Sequence, residues 1–170
     1  TIGGATTISG THAVGNSPGI QTFVSDLTYT STAVIDWELV ADTEAGRRMN
    51  FDGIDVGGAL TFDGATTFDF IFSGVDFTDA FWQADREWLV FSGATSVNGF
   101  SSGMFNASAA NMASPTDGLF SLVQVGNDIF LDYAFSTTAV PEPTTTLMFG
   151  IGLGFIGLGR RRRRNSNSAE

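Results

Sequence analysis

Carboxylates flank tryptophan at two places in this sequence, Asp36-Trp37-Glu38 and Asp85-Arg86-Glu87-Trp88. In an extended strand, residues two apart share a face, so each pair sets two carboxylates side by side. Such a pair can raise one carboxyl pKa, hold a cation or, at a separation fixed by the fold, act on a glycosidic bond. Tryptophan beside carboxylates also lines sugar-binding clefts. Asp36, Trp37, Glu38, Asp85, Glu87 and Trp88, with Trp82 nearby, are therefore the candidate ligand residues of the body. The competing expectation is that each tryptophan turns into a core and leaves its acids facing solvent.

Other chemistry is sparse. His12 is the only histidine, so a Ser-His-Asp triad would have to use it. It stands in a Gly/Ser/Thr-rich stretch, where a solvated loop position is expected. Cysteine is absent, which excludes disulfides, thiolate metal sites and a cysteine nucleophile. The Asp-Gly pairs form neither an EF-hand loop nor a G-G-x-G-x-D repeat, so they are read as turns that offer weak calcium binding at most. No cofactor and no catalytic constellation is expected, and the chain is read as a non-enzyme. Gly152-Leu153-Gly154-Phe155-Ile156-Gly157 satisfies the dinucleotide pattern G-x-G-x-x-G. That fingerprint needs a preceding strand, a following amphipathic helix and an acid about twenty residues on, whereas thirteen residues follow Gly157.

The elements that must position these residues are strands. From Thr1 to Tyr133 the composition is Gly, Thr, Ser, Asp, Phe and Val, which favours strands and turns over helices. Short alternating runs recur at 22–30, 33–40, 59–62, 66–72, 87–91, 119–125 and 129–135. Phe68, Phe70 and Phe72 fall on every second residue and so share one face, expected to be core. Asp52-Gly53, Asp63-Gly64 and Gly126-Asn127-Asp128 supply the turns. Phe51-Asp52-Gly53 and Phe62-Asp63-Gly64 read as a degenerate repeat eleven residues apart. The expected class is all-β: the end of a Gly/Thr/Asp-rich β-solenoid (β-helix), or a β-sandwich, followed by a short C-terminal transmembrane helix.

Charge divides the chain. The whole carries 8 basic and 18 acidic residues, but five of the basic ones are Arg160, Arg161, Arg162, Arg163 and Arg164. Before Val140 only Arg47, Arg48 and Arg86 stand against 16 acids, a net charge of −13, and lysine is absent. So acidic a body repels nucleic acid and anionic lipid. The sequence opens on Thr1 with no leader-type segment, as expected either of a chain whose signal peptide was removed or of a fragment.

From Leu147 to Gly159 thirteen residues carry no charge, with Leu147, Met148, Phe149, Ile151, Leu153, Phe155, Ile156 and Leu158 as the apolar side chains. As a helix this stretch spans roughly 20 Å, short of the roughly 30 Å hydrocarbon layer. Threonines at 144–146 and snorkelling arginines extend it. A basic cluster directly after an apolar helix acts as a stop-transfer signal and keeps that end cytoplasmic. Gly150 and Gly154 also set a G-x-x-x-G spacing.

Val140-Pro141-Glu142-Pro143, then the apolar helix, then the arginine cluster, resembles the PEP-CTERM sorting domain of bacterial surface proteins. The resemblance covers 140–164. It implies export by the general secretory route in Gram-negative, exopolysaccharide-forming bacteria. It further implies recognition at Pro141, Glu142 and Pro143 by an exosortase, a membrane protease-transpeptidase that removes the tail. The prolines suit that role, because they stop the helix and hold an extended segment at the outer interface. On this reading 1–139 is an acidic extracytoplasmic body, 140–143 the motif, 144–159 a transient inner-membrane anchor, 160–164 the stop-transfer cluster and 165–170 a disordered tail. The body also resembles the closing region of β-helical, autotransporter-like passengers, in the order Ile54-Asp55-Val56-Gly57-Gly58-Ala59-Leu60, Leu89-Val90-Phe91, then Leu119-Phe120-Ser121-Leu122 through Ile129-Phe130-Leu131. The expected function is a structural or adhesive protein of the cell surface or extracellular matrix, with exopolysaccharide as a partner. The alternative is a carbohydrate-binding or carbohydrate-active β protein.

Overall fold

The structure, a computed structural model, describes residues 1–15, 18–102, 107–108 and 118–136. The body is mostly β, and its strands recur in threes. The first round has β1 (Thr6–Ile8), β2 (Thr11–Ala13) and β3 (Ile20–Phe23). The second has β4 (Leu27–Thr30), β5 (Val34–Leu39) and β6 (Gly53–Val56), and the third β7 (Ala59–Asp63), β8 (Thr67–Phe72) and β9 (Arg86–Ser92). A 3-10 turn, Ala80–Gln83, precedes β9. Next come β10 (Ser96–Asn98) and β11 (Ala107–Ser108), and a hairpin of β12 (Gly118–Val125) and β13 (Asp128–Phe135) closes the body.

Each round adds one strand to each of three sheets. Two sheets are wholly parallel, ordered β1-β4-β7-β10 and β11-β8-β5-β2. The third is ordered β12-β13-β9-β6-β3, parallel from β3 to β9 and antiparallel from β9 through the hairpin. Leu27 pairs with Leu60, Val34 with Thr67 and Ile20 with Gly53, each 33 residues on. The other parallel returns are 21 to 39 residues long, so the chain winds through the three sheets in rounds of unequal length, whereas the ladders of a sandwich are antiparallel. The eleven-residue interval between the two Phe-Asp-Gly tripeptides holds two strands, β6 and β7, of two different sheets. Asp52-Gly53 opens a strand of one sheet and Asp63-Gly64 closes a strand of another, with the Gly57-Gly58 corner between them, so they are different corners and not copies of one rung.

Alternation decides what the coil encloses. In β5, Ile35, Trp37 and Leu39 are buried, and Val34, Asp36 and Glu38 are only partly so. β8 follows suit, with Phe68 and Phe70 buried and Phe72 packed against the core. Parallel register stacks like on like along the axis: Leu27 on Leu60, Tyr29 on Phe62, Ile35 on Phe68, Trp37 on Phe70. Tyr29 and Phe62 lie nearly parallel, 12° apart with centroids at 5.7 Å. Each fully buried large apolar side chain contributes about 1.5–3 kcal/mol, so this column is the main source of stability in a chain without disulfides.

The long excursion from Val40 to Asp52 folds back on the third sheet. Arg47 lies over Gly53, and a Cβ there would have to displace the guanidinium. The guanidinium donates from Nε to the Leu89 carbonyl at 2.9 Å and from Nη2 to the Val90 and Ile54 carbonyls at 3.2 and 3.3 Å. Nη1 bonds Asp55 at 2.7 Å. β6 and β9 are in register only at Ile54–Phe91 and Asp55–Ser92, so Arg47 supplies donors where the ladder between them stops.

Candidate functional site

His12 is not on a solvated loop. It sits on β2 and is 7% exposed, and its ring nitrogens are both engaged: Nδ1 with the Tyr29 hydroxyl at 2.6 Å, Nε2 with Gln21 Oε1 at 2.5 Å. Because an amide oxygen only accepts, Nε2 carries the proton and Nδ1 accepts from the tyrosine hydroxyl. Burial pushes the His12 pKa below its ordinary value, against the raising effects of Gln21 and Asp36, and burial alone pushes Tyr29 well up. The pair is thus held neutral. With both nitrogens committed inside the coil, His12 has no free position for a substrate proton. A lone histidine in a strand-like Thr-His-Ala triplet bears the mark of an inward residue only once the alternation of β2 is known.

The tryptophans follow the competing expectation. Trp37 and Trp88 are fully buried and Trp82 nearly so. Their indole N–H groups bond inside the protein: Trp37 to the Asp52 carbonyl at 2.7 Å, Trp88 to the Thr43 carbonyl at 2.7 Å, Trp82 to Asp42 Oδ1 at 2.8 Å. Trp82 lies edge-on to Tyr133 and beside Trp88 and Phe77, in an aromatic cluster under the closing hairpin. No face of these rings is open to a sugar, which corrects the expectation that they line a binding cleft.

The acids separate. Asp36 and Glu38 share the outer face of β5. Asp36 pairs in register with Asp69 of the next round, and its pKa is raised by burial first and by Asp69 second, with His12 acting against the rise. Glu38 Oε1 accepts from the Ser73 hydroxyl at 2.8 Å. Asp85 precedes β9 and accepts the Phe135 N–H at 2.9 Å, while Glu87 lies on β9 opposite Asp132. The two tryptophan-acid motifs therefore stand on different sheets and do not form one site. Among the described residues no three His, Asp or Glu side chains stand close enough to hold a metal ion.

Asp52, read from sequence only as a turn residue, is the most embedded carboxylate. Its two oxygens accept the Gly19 N–H at 2.6 Å and the Glu38 N–H at 3.0 Å, tying the approach to β3 and the strand β5 to the start of β6. Burial pushes its pKa up to about 6, against the lowering by these two bonds. The outer surface is otherwise regular. On the first sheet Thr7, Thr28, Thr61 and Asn98 stand in one register column, Thr28 and Thr61 each between two buried neighbours.

Val140 to Pro143, the apolar segment at 144–159 and Arg160 to Arg164 lie outside the described residues. Within the described residues no helix is long and apolar enough to cross a membrane. No curated protein and no solved structure matches the chain, so the likeness of the body to autotransporter-like passengers has no matching relative behind it. Residues 139–164 match the family described as the PEP-CTERM protein-sorting motif. That span begins one residue before the motif read from sequence and ends on its last arginine, and it places this chain among the exported proteins that carry a PEP-CTERM sorting signal for processing by an exosortase, a membrane protease.

Proposed function

We propose that the protein is a non-enzymatic structural or adhesive component of the bacterial surface or extracellular matrix. The sorting motif at 139–164 carries this reading, because it delivers an acidic β-rich body to the outside of the cell. In detail, the segment at 144–159 holds the chain transiently in the inner membrane with Arg160 to Arg164 cytoplasmic, and the exosortase releases the body after reading Pro141, Glu142 and Pro143. The regular outer columns support an adhesive role toward exopolysaccharide. Threonine hydroxyls and carboxylates repeating at strand spacing, about 4.8 Å, present the same donors and acceptors again and again to a repetitive polymer. Calcium, if it acts, joins carboxylates such as Asp36 and Asp69 to that polymer and forms no internal site.

Retention of full-length protein on isolated exopolysaccharide, with and without chelator, tests the adhesive role. Thr28→Lys/Thr61→Lys changes the outer column without touching the core, and we expect it to weaken retention. Equal retention of wild type and variant would overturn the assignment of that face. Sorting is tested separately by mass spectrometry of exported material: the reading expects the body without Arg160 to Arg164, and an intact tail there would refute processing.

A further inference from the structure

The third sheet has two edges, and they are managed differently. At β3 the N-terminal segment covers the edge: Ile2 donates to the Thr22 carbonyl and accepts from Val24 N–H, at 2.8 and 2.9 Å. At β12 nothing among the described residues does so. This strand is eight residues long, Gly118-Leu119-Phe120-Ser121-Leu122-Val123-Gln124-Val125, with no charge and no proline. Leu119, Val123 and Val125 are 76, 39 and 57% exposed on its outer face. Edge strands ordinarily carry lysine, proline or a bulge to prevent pairing, and this one carries none of them.

Turn geometry fixes which backbone groups are free. Val125 and Asp128 flank the two-residue turn Gly126-Asn127, with Gly126 at φ +63 as a type II′ hairpin requires. Residues flanking such a turn exchange hydrogen bonds, so Val125, Val123, Ser121 and Leu119 bond inward to β13. Gly118, Phe120, Leu122 and Gln124 point their N–H and C=O groups to the open edge.

We propose that β12 is a self-complementary docking edge, at which two copies of this chain join antiparallel about a two-fold axis through Leu122. Any register centred on a residue sets outward-bonding residues against one another, and only a centre at Leu122 also places Leu119, Val123 and Val125 all opposite residues of the same strand. With Leu122 opposite Leu122 of the second copy, Phe120 bonds Gln124 on both sides of the axis. The same register sets Leu119 against Val125 and Ser121 against Val123, covering the exposed apolar side chains. A two-fold contact of a patch with itself is the commonest form of association between copies. The body carries −13 charge, yet none of it lies on β12, so the edge brings no like charges into direct opposition. Pairing joins two five-stranded sheets into one of ten strands.

The absence of cysteine makes the register directly readable. Ser121→Cys and Val123→Cys full-length chains, mixed in detergent and oxidised, are expected to give a disulfide-linked dimer. Directly opposed residues of a non-hydrogen-bonded pair lie about 4.5 Å apart at Cα, within the range a disulfide spans. Either variant alone places its thiols on the diagonal, about 7–8 Å apart, and should cross-link far less. Leu119→Lys/Val125→Lys, added to both chains, alters only exposed positions and sets lysine against lysine across the axis, so the dimer yield should fall to that of the single variants. Gln124→Pro removes an edge donor and should do the same. No cross-link in the mixture would overturn the proposal, whether a foreign strand or another part of the chain occupies the edge. So would cross-linking that the lysines leave unchanged.

Discussion

His12 and Asp52 respond to pH in opposite directions, and each response follows from what surrounds one side chain. His12 has a folded-state pKa below its ordinary 6.5, so the unfolded chain binds the proton more readily. Its contribution to stability is complete above 6.5 and is lost as pH falls through the lowered value. Asp52 is raised from 3.8 to about 6, so its contribution is complete below 3.8 and is lost as pH rises through about 6. The destabilisation by His12→Gln should therefore shrink as pH falls below 6.5, and that by Asp52→Asn should shrink as pH rises from 4 to 6. Denaturant unfolding at matched pH values checks both, and parallel profiles for the two variants would contradict these environments. Arg48 holds φ at +88, uncommon for a residue with a side chain, and its N–H bonds the Phe51 carbonyl. Arg48→Gly should raise stability by about 1 kcal/mol, read as a higher melting temperature.

At the scale of elements, the excursion from Val40 to Asp52 holds the third sheet. Arg47→Met keeps the stem over Gly53 but removes every donor to the carbonyls of Ile54, Leu89 and Val90. A bond from a charged donor contributes about 1.5–3 kcal/mol net of water, and the partly exposed guanidinium shares its bonds among several carbonyls, so a loss of about 2–3 kcal/mol in urea unfolding is expected. An unchanged midpoint would mean that water replaces the guanidinium. Trp37→Ala removes a fully buried ring and its bond to the Asp52 carbonyl, and should lower stability by about 3–5 kcal/mol. Any loss of sugar retention in that variant then reflects unfolding, which near-ultraviolet circular dichroism would reveal. Strands of this kind were legible: Phe68 and Phe70 alternate inward as their spacing required. The return from round to round was not, because its length varies and few aligned positions are identical: inward Trp37 lies over Phe70, and outward Glu38 beside Ile71.

For the whole molecule, the address is written in the order of residues along the chain. A proline-bounded tripeptide, an uncharged stretch and five arginines in a fixed order form a local code, read by a membrane and a protease along a continuous segment. Alternation and turn chemistry likewise settled that the body is β-rich, since both depend on near neighbours in the chain. Only the tertiary structure decided what lay between distant residues. It turned the tryptophans and His12 inward, separated the two acid pairs onto different sheets and made Asp52 a joint between strands. It also left β12 uncovered among the described residues. The reason is physical: a side chain's burial, partner and pKa depend on what the fold brings beside it from 9 to 45 residues away, and no local pattern carries that distance.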